Sequence, residues 1–341
     1  MRAAVLRGVE DVEVVERDVR RPGSREVLVE VGSVGVCGSD VHYYEHGRVG
    51  NFVVTEPLVL GHEASGTVAA LGSEVTGHRV GQRVSIEPGV PDFTCAECRS
   101  GRYNLCSAVR FMATPPVDGA FCEYVTVHEG FAHPVPETIS DDEAALLEPL
   151  SVGVWACRKA GVGPGDRVLV SGAGPIGLVT AQAALAFGAT EVLASDVNPH
   201  RLRLACELGC GDVIDVGTTA VRDTGFEPTV LLECSGNPGA TTEAIRTVAR
   251  AGRVVLVGMG AEEIPLSLSH VQEREIAVAG TFRYANTWPT AIALVASGRV
   301  NVAGLVSARF SLDEVESALN YGRRDDKAVK AIVRPSMDVL G

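Results

Sequence analysis

The hexapeptide Gly172-Ala173-Gly174-Pro175-Ile176-Gly177 constrains this chain more than any other feature. It directly follows an apolar run, Arg167-Val168-Leu169-Val170-Ser171, and opens an apolar stretch that reaches about Phe187. A GxGxxG pattern is a weak signal alone. Between a buried strand and a helix it predicts a dinucleotide-binding turn. The first glycine permits the tight turn, the second lets a pyrophosphate approach the backbone, and the third lets helix and strand pack closely. The helix N-terminus then faces the phosphate charge. Gly172, Gly174, Pro175, Ile176 and Gly177 are therefore candidate cofactor-binding residues. Asp196, 19 residues after Gly177, closes the next apolar run. A carboxylate there accepts hydrogen bonds from ribose hydroxyls and repels a 2′-phosphate, which favours NAD over NADP. Arg201 and Arg203 lie close by and could hold a phosphate. The plainer alternative is that the glycines only shape a turn and that Asp196 only caps the next helix.

The alternation continues after this motif. Glu191-Val192-Leu193-Ala194-Ser195, a helix near 199–208, Val213-Ile214, Thr229-Val230-Leu231-Leu232-Glu233, a helix near 239–250 and Arg253-Val254-Val255-Leu256-Val257 follow one another. Strand–helix–strand repetition predicts a parallel sheet with helices on both faces. The first 150 residues read differently. Val27-Leu28-Val29-Glu30-Val31 and Thr67-Val68-Ala69-Ala70-Leu71 are short β runs bounded by Gly, Ser and Pro. Residues 87–120 show no period, and so long an irregular lobe needs something to staple it. Ser311-Leu312-Asp313-Glu314 reads as a capping box opening a helix over 311–320. A length of 341 residues suits two domains.

The net charge of −13 forces no basic face, which argues against a nucleic-acid or anionic-membrane partner. No stretch reaches the roughly 18 apolar residues of a membrane span. The N-terminus lacks the apolar core of a signal peptide. The expectation is a cytoplasmic enzyme whose nine cysteines are thiols or metal ligands.

Cys37, the pair His62-Glu63, and Glu148 offer a thiolate, an imidazole and carboxylates, a donor set that suits Zn²⁺ with a position left for water or substrate. Spacing alone does not link these three places. The surrounding motifs do. Gly61-His62-Glu63-Ala64-Ser65-Gly66, then Gly72 and Val75, resemble the zinc signature GHExxGxxxxxGxxV without a gap. Gly38-Ser39-Asp40-Val41-His42-Tyr43, Gly47-Arg48-Val49-Gly50-Asn51-Phe52, Glu148-Pro149-Leu150-Ser151 and Phe282-Arg283-Tyr284-Ala285-Asn286 carry the likeness further. From about residue 1 to 335 the chain resembles the zinc-dependent medium-chain dehydrogenase/reductase family. Within it the likeness is to the sorbitol (L-iditol) and xylitol dehydrogenase group.

That resemblance implies an α/β fold: a doubly wound Rossmann NAD domain over 151–282, and a mostly β, GroES-like catalytic domain over 1–150 and 283–341. The substrate and metal would lie between the two. It implies a catalytic zinc on Cys37, His62 and Glu63, with Glu148 as a ligand or as a partner of the bound water. Which carboxylate binds directly stays open. It implies Ser39 and His42 as a proton relay, Arg283 and Tyr284 as hydroxyl-binding residues, and Tyr43 and Phe111 as pocket lining. The reaction implied is NAD-dependent oxidation of a secondary alcohol of a polyol to the ketose, in a homotetramer. Dehydrogenation of butanediol, threonine or another sugar is the rival within enzymes. A non-catalytic NAD(P)-binding relative is the rival outside them.

Cys95-x2-Cys98-x7-Cys106 resembles the family's structural zinc loop, with Asp92 where the pattern has a first cysteine. An Asp–Cys₃ zinc site, a lost site and a redox CxxC are the three readings. The other five cysteines, Cys122, Cys157, Cys206, Cys210 and Cys234, read as small core residues.

Overall fold

The computed structural model describes residues 1–337. The chain divides into two compact units. One comprises Met1–Glu148 and the residues from Leu305 on; the other comprises Pro149–Gly304. Residues 283–304, assigned to the catalytic domain on sequence, pack with the second unit. The helix Trp288–Ala296 fully buries Trp288, and the Arg158 guanidinium donates to the Asn286 carbonyl at 2.7 Å and the Thr290 hydroxyl at 2.7 Å.

The first unit is built on a mainly antiparallel sheet. Its path runs Ala132–Pro134, Arg83–Ile86, Glu63–Leu71, Glu26–Gly35, Lys330–Arg334, Val306–Ser311, and Tyr124–His128 also pairs with Glu26–Gly35. The strand Glu26–Gly35 shows why the sheet has a core face. Val27, Val29 and Val31 alternate with more exposed neighbours and are at most 2% exposed. Each such side chain contributes roughly 1.5–3 kcal/mol on burial. The strands Val306–Ser311 and Lys330–Arg334 run parallel to each other, and the latter joins Glu26–Gly35 antiparallel, with Ile332 opposite Gly35. The last part of the chain thereby completes the first unit.

The irregular lobe contains a two-stranded pair, Gly89–Val90 with Arg110–Phe111, and two short helical turns, Ala96–Arg99 and Tyr103–Leu105. The capping box at Ser311 forms: its amide and hydroxyl both donate to Glu314 at 2.8 Å. It opens a 3-10 turn, Leu312–Glu314, before the helix Val315–Leu319.

The second unit carries a six-stranded parallel sheet in the order Asp212–Asp215, Glu191–Asp196, Arg167–Ser171, Val230–Glu233, Arg253–Leu256, Ala277–Gly280. In chain order this is 3-2-1-4-5-6, with the reversal beside Arg167–Ser171, the topology that binds dinucleotides beyond the carboxyl ends of its strands. The helix Pro175–Ala186 is buried all round from Gly177 to Ala184, as expected of a helix packed deep in a layered core. The expected helices over 199–208 and 239–250 form as Pro199–Glu207 and Pro238–Thr247, each opened by an asparagine cap. All nine cysteines are free. Cys206 corrects the reading of it as a core residue. It is exposed, because its helix turns Leu202 and Ala205 inward.

Candidate metal centre and dinucleotide site

The candidate metal centre grows from strand register. Gly35 pairs with Glu63 and Val34 with Ala64, so the chain leaving Gly35 arrives at Cys37 beside His62. Cys37 caps the helix Gly38–His46. One donor atom each from Cys37, His62 and Glu63 lies within 4.8 Å of the others. A soft thiolate, an imidazole and a carboxylate so placed fit a zinc ion with an open position. Glu63 is fully buried, and it needs a glycine opposite: a Cβ at Gly35 would come within 2.0 Å of its Oε2.

Two charged residues that sequence reasoning gave no role hold this group in place. Asp40, fully buried, accepts from the Cys37 amide at 3.0 Å and the Gly61 amide at 2.9 Å, and lies 3.5 Å from His62 Nδ1. Burial opposes an imidazolium at His62, but the Asp40 carboxylate and the Cys37 thiolate outweigh it and raise the pKa well above the usual value. A carboxylate behind a histidine fixes its ring and raises its basicity toward a metal. Lys330 is the second. Its Nζ donates to both Glu63 oxygens, at 2.7 and 2.9 Å, and to the Val36 carbonyl at 2.9 Å. Asp40 lies inside the stretch Gly38-Ser39-Asp40-Val41-His42-Tyr43. Lys330 left no local signal beyond a charge opening the apolar run Ala331-Ile332-Val333.

Glu148 is 5% exposed in the first turn of the helix Leu147–Ala160, and its charge adds to the field that raises the Lys330 pKa. It is not in the close three-residue group. Phe111 stands beside His62, with ring centroids 5.7 Å apart, and Tyr43 is buried. Ser39 is half-buried. His42 is exposed, its Nδ1 2.6 Å from the Arg48 carbonyl and its ring against His46. In the second unit, Arg283 is half-buried at φ 54° with its guanidinium over the Phe282 ring, and Tyr284 packs edge-on against Trp288.

The irregular lobe gathers a second set. Donor atoms of Asp92, Cys95, Cys98 and Cys106 also lie within 4.8 Å of one another. The Cys95 and Thr94 amides donate to Asp92 Oδ1 at 3.0 and 2.8 Å and hold its carboxyl well below the usual range. The Cys98 amide lowers the Cys95 thiol. Desolvation, with hydrogen bonds to Cys95 and Asp92, pushes Cys98 up to about 12. A carboxylate and three cysteine sulfurs converge on one point here, a donor set that a bound cation would hold together.

In the second unit the glycine turn has the form a pyrophosphate needs. Gly172 lies at φ 92°, and a Cβ at Gly177 would meet the Gly172 carbonyl oxygen at 1.8 Å. A Cβ at Gly174 would meet no atom within 4 Å, so the space over it is open. Asp196 accepts from the amides of Ala173, Val197 and Asn198 at 2.7–2.9 Å, tying the turn to the next strand end. Arg201, in the first turn of Pro199–Glu207, keeps a buried Nε without a hydrogen-bond partner among the described residues. These residues fit a dinucleotide.

Two family models match the chain: the alcohol dehydrogenase GroES-like domain over residues 23–137, and the zinc-binding dehydrogenase over 175–297. The chain is 40% identical to the sorbitol dehydrogenase of Bacillus subtilis, with 98% of both chains covered. It is 44% identical to that of Homo sapiens, covering 92% of this chain and 90% of the relative. L-idonate 5-dehydrogenase of Escherichia coli superposes with a TM-score of 0.92 at 31% identity, with 98% and 97% covered. The chain belongs to the zinc-dependent medium-chain dehydrogenase/reductase family and is an alcohol oxidoreductase. Its curated relatives set it beside the sorbitol dehydrogenases.

Proposed function

We propose that the protein is a zinc- and NAD-dependent polyol dehydrogenase, oxidising a secondary alcohol of a sorbitol-, xylitol- or L-iditol-type sugar alcohol to the ketose. The observation that carries this reading is the convergence of Cys37, His62 and Glu63, in a chain similar over nearly its full length to sorbitol dehydrogenases.

Cys37, His62 and Glu63 would hold the catalytic zinc, with Glu148 available to its fourth position. Asp40 orients His62, and Lys330 orients Glu63. When bound, zinc supplies the Lewis acidity that eases loss of the hydroxyl proton, and NAD takes the hydride. The chain's own part is placement. Gly172, Gly174, Pro175, Ile176 and Gly177 receive the pyrophosphate, while Asp196 and Arg201 meet the adenosine ribose. Ser39 and His42 accept the hydroxyl proton and pass it toward solvent, for which the exposure of His42 is suited. Arg283 donates to substrate hydroxyls in a fixed fork, with Tyr284, and Tyr43 and Phe111 line the pocket. Asp92, Cys95, Cys98 and Cys106 would hold a second, structural zinc.

The enzyme is cytoplasmic in this reading, in keeping with nine free thiols. Among the described residues no helix is long and apolar enough to cross a membrane. It works as a homotetramer. The edge strand Ala277–Gly280, with Val278 39% exposed, offers an apolar edge for a second copy.

The test is NADH formation by the zinc-loaded enzyme over sorbitol, xylitol, L-iditol, arabinitol, butanediol and threonine. Turnover confined to the polyols is expected. Activity on butanediol or threonine alone would refute the pocket assignment and retain the zinc chemistry. His62→Ala should abolish turnover and keep NADH binding, and full activity in that variant would sink the metal assignment.

A further inference from the structure

Glu233 ends the strand Val230–Glu233 and is 2% exposed, yet nothing in the chemistry above uses it. Among the described residues no cationic side chain pairs with its carboxylate. Its charge is met by three donors from one turn: the Ser235 amide at 2.9 Å, the Ser235 hydroxyl, and the Gly236 amide at 3.3 Å. The same hydroxyl accepts from the Asn237 amide at 3.1 Å, and Asn237 caps the helix Pro238–Thr247.

That turn sits between two backbones with no room to move. On one side is Gly172, the first glycine of the phosphate turn, where a Cβ would come within 2.8 Å of Ser235 Cα. On the other is the segment 258–260. A Cβ at Gly258 would meet the Gly236 amide nitrogen at 2.4 Å, and one at Gly260 would meet the Gly236 carbonyl oxygen at 1.8 Å. The Glu233 carbonyl accepts from the amides of Val257 and Gly258 at 2.8 Å each, and the Cys234 amide donates to Ser171. Three strand ends are thus interlocked at the carboxyl edge of the sheet, where a dinucleotide binds. The Glu233 carboxylate fixes the conformation of the middle one.

We propose that Glu233 is a positioning residue of the dinucleotide site, setting through Ser235 and Gly236 the spacing between the phosphate turn and the 258–260 segment. This rests on the reading of the protein as NAD-dependent. A buried carboxylate near a pyrophosphate is electrostatically unfavourable. It earns its place by accepting from three donors that no neutral side chain of that size can accept together. Glutamine would set its own NH₂ against an amide donor and release one side of the turn.

The experiment is NADH binding, followed by the fluorescence of the bound cofactor, in the zinc-loaded protein and its Glu233→Gln and Ser235→Ala variants. Michaelis constants for NAD and for the polyol are measured in parallel. Glu233→Gln should weaken NADH binding and raise the KM for NAD by about tenfold, and Ser235→Ala by less, with the KM for the polyol unchanged. A purely structural role would lower the melting temperature without that split. NADH binding as tight in both variants as in the wild type overturns the role of Glu233. Should Glu233→Gln not fold, unchanged binding in Ser235→Ala overturns it alone. A wild-type protein that does not bind NADH overturns the cofactor reading itself.

Discussion

The Lys330 ammonium reaches both carboxylate oxygens of Glu63, and neither side chain is more than 3% exposed. Burial works against the ammonium, but the charges of Glu63 and Cys37 outweigh it and hold the Lys330 pKa above its usual value. The ammonium is therefore favoured against Glu63 beside the candidate zinc. Removing one partner of such a pair costs about 3–5 kcal/mol, because the other is left buried and uncompensated. Lys330→Met should thus strongly destabilise the metal-free protein. Zinc on Glu63 would supply the missing positive charge, so the loss should shrink in the loaded form. Thermal unfolding with chelator and with excess zinc checks this. An equal drop under both conditions would show that Glu63 does not face the metal.

Asp142 ties the two ends of the first unit together. Its carboxylate accepts from Ser33 at 2.7 Å, from Arg309 at 2.7 Å and from Arg334 at 3.1 and 2.8 Å. Desolvation opposes its charge, but those donors outweigh it and hold the pKa below the usual carboxylate value. For a lowered pKa, the stability contribution is complete above the unfolded value, about 3.9, and is lost as pH falls through the folded one. Asp142→Asn should cost on the order of 2 kcal/mol at pH 7, with the gap to wild type closing below about pH 4. Melting temperatures from pH 7 to 3 read it. A gap that stays constant to pH 3 would exclude the carboxylate as the source.

The dinucleotide half was legible in the sequence because its determinants are local. Strand, glycine turn, helix and Asp196 lie within thirty residues, from Arg167 to Asp196, and the periodicity switches at Gly172. The candidate metal donors are legible through the residues around them, not their spacing: Cys37 and His62 meet only because Gly35 pairs with Glu63. Lys330 was out of reach, since its contact with Glu63 spans 267 positions and depends on a strand crossing from the far end of the chain. From sequence Glu233 reads only as the end of a strand. Its importance comes from glycine contacts at Gly172, Gly258 and Gly260 that no periodicity records.

The cysteine lobe gives a stoichiometric prediction. If Asp92, Cys95, Cys98 and Cys106 hold zinc, the wild type should carry about two zinc ions per chain and Cys98→Ala about one. The variant should keep most of its turnover, because the proposed catalytic donors Cys37, His62 and Glu63 form a separate group. Its lobe should become sensitive to proteases between 92 and 106, since the bound ion would staple a segment with little regular structure. Elemental analysis of chelator-washed protein decides the matter. One zinc in both proteins would mean that the four donors converge without a metal.

In the proposed reading Asp196 would set cofactor choice in two ways at once. Its carboxylate holds the Ala173 amide at 2.7 Å, shaping the glycine turn, and by the proposed reading it would oppose a 2′-phosphate on the cofactor. Arg201, with a buried Nε lacking a partner, is near enough in sequence to meet such a phosphate once the carboxylate is gone. Asp196→Ala should therefore raise the KM for NAD by about tenfold, the equivalent of roughly 1.4 kcal/mol. It should also narrow the ratio of kcat/KM for NAD over NADP. If NAD alone suffers and the ratio holds, Asp196 serves the turn and does not discriminate the ribose. Arg201→Ala in the Asp196→Ala background separates the two contributions, because only the gain for NADP should vanish with the guanidinium.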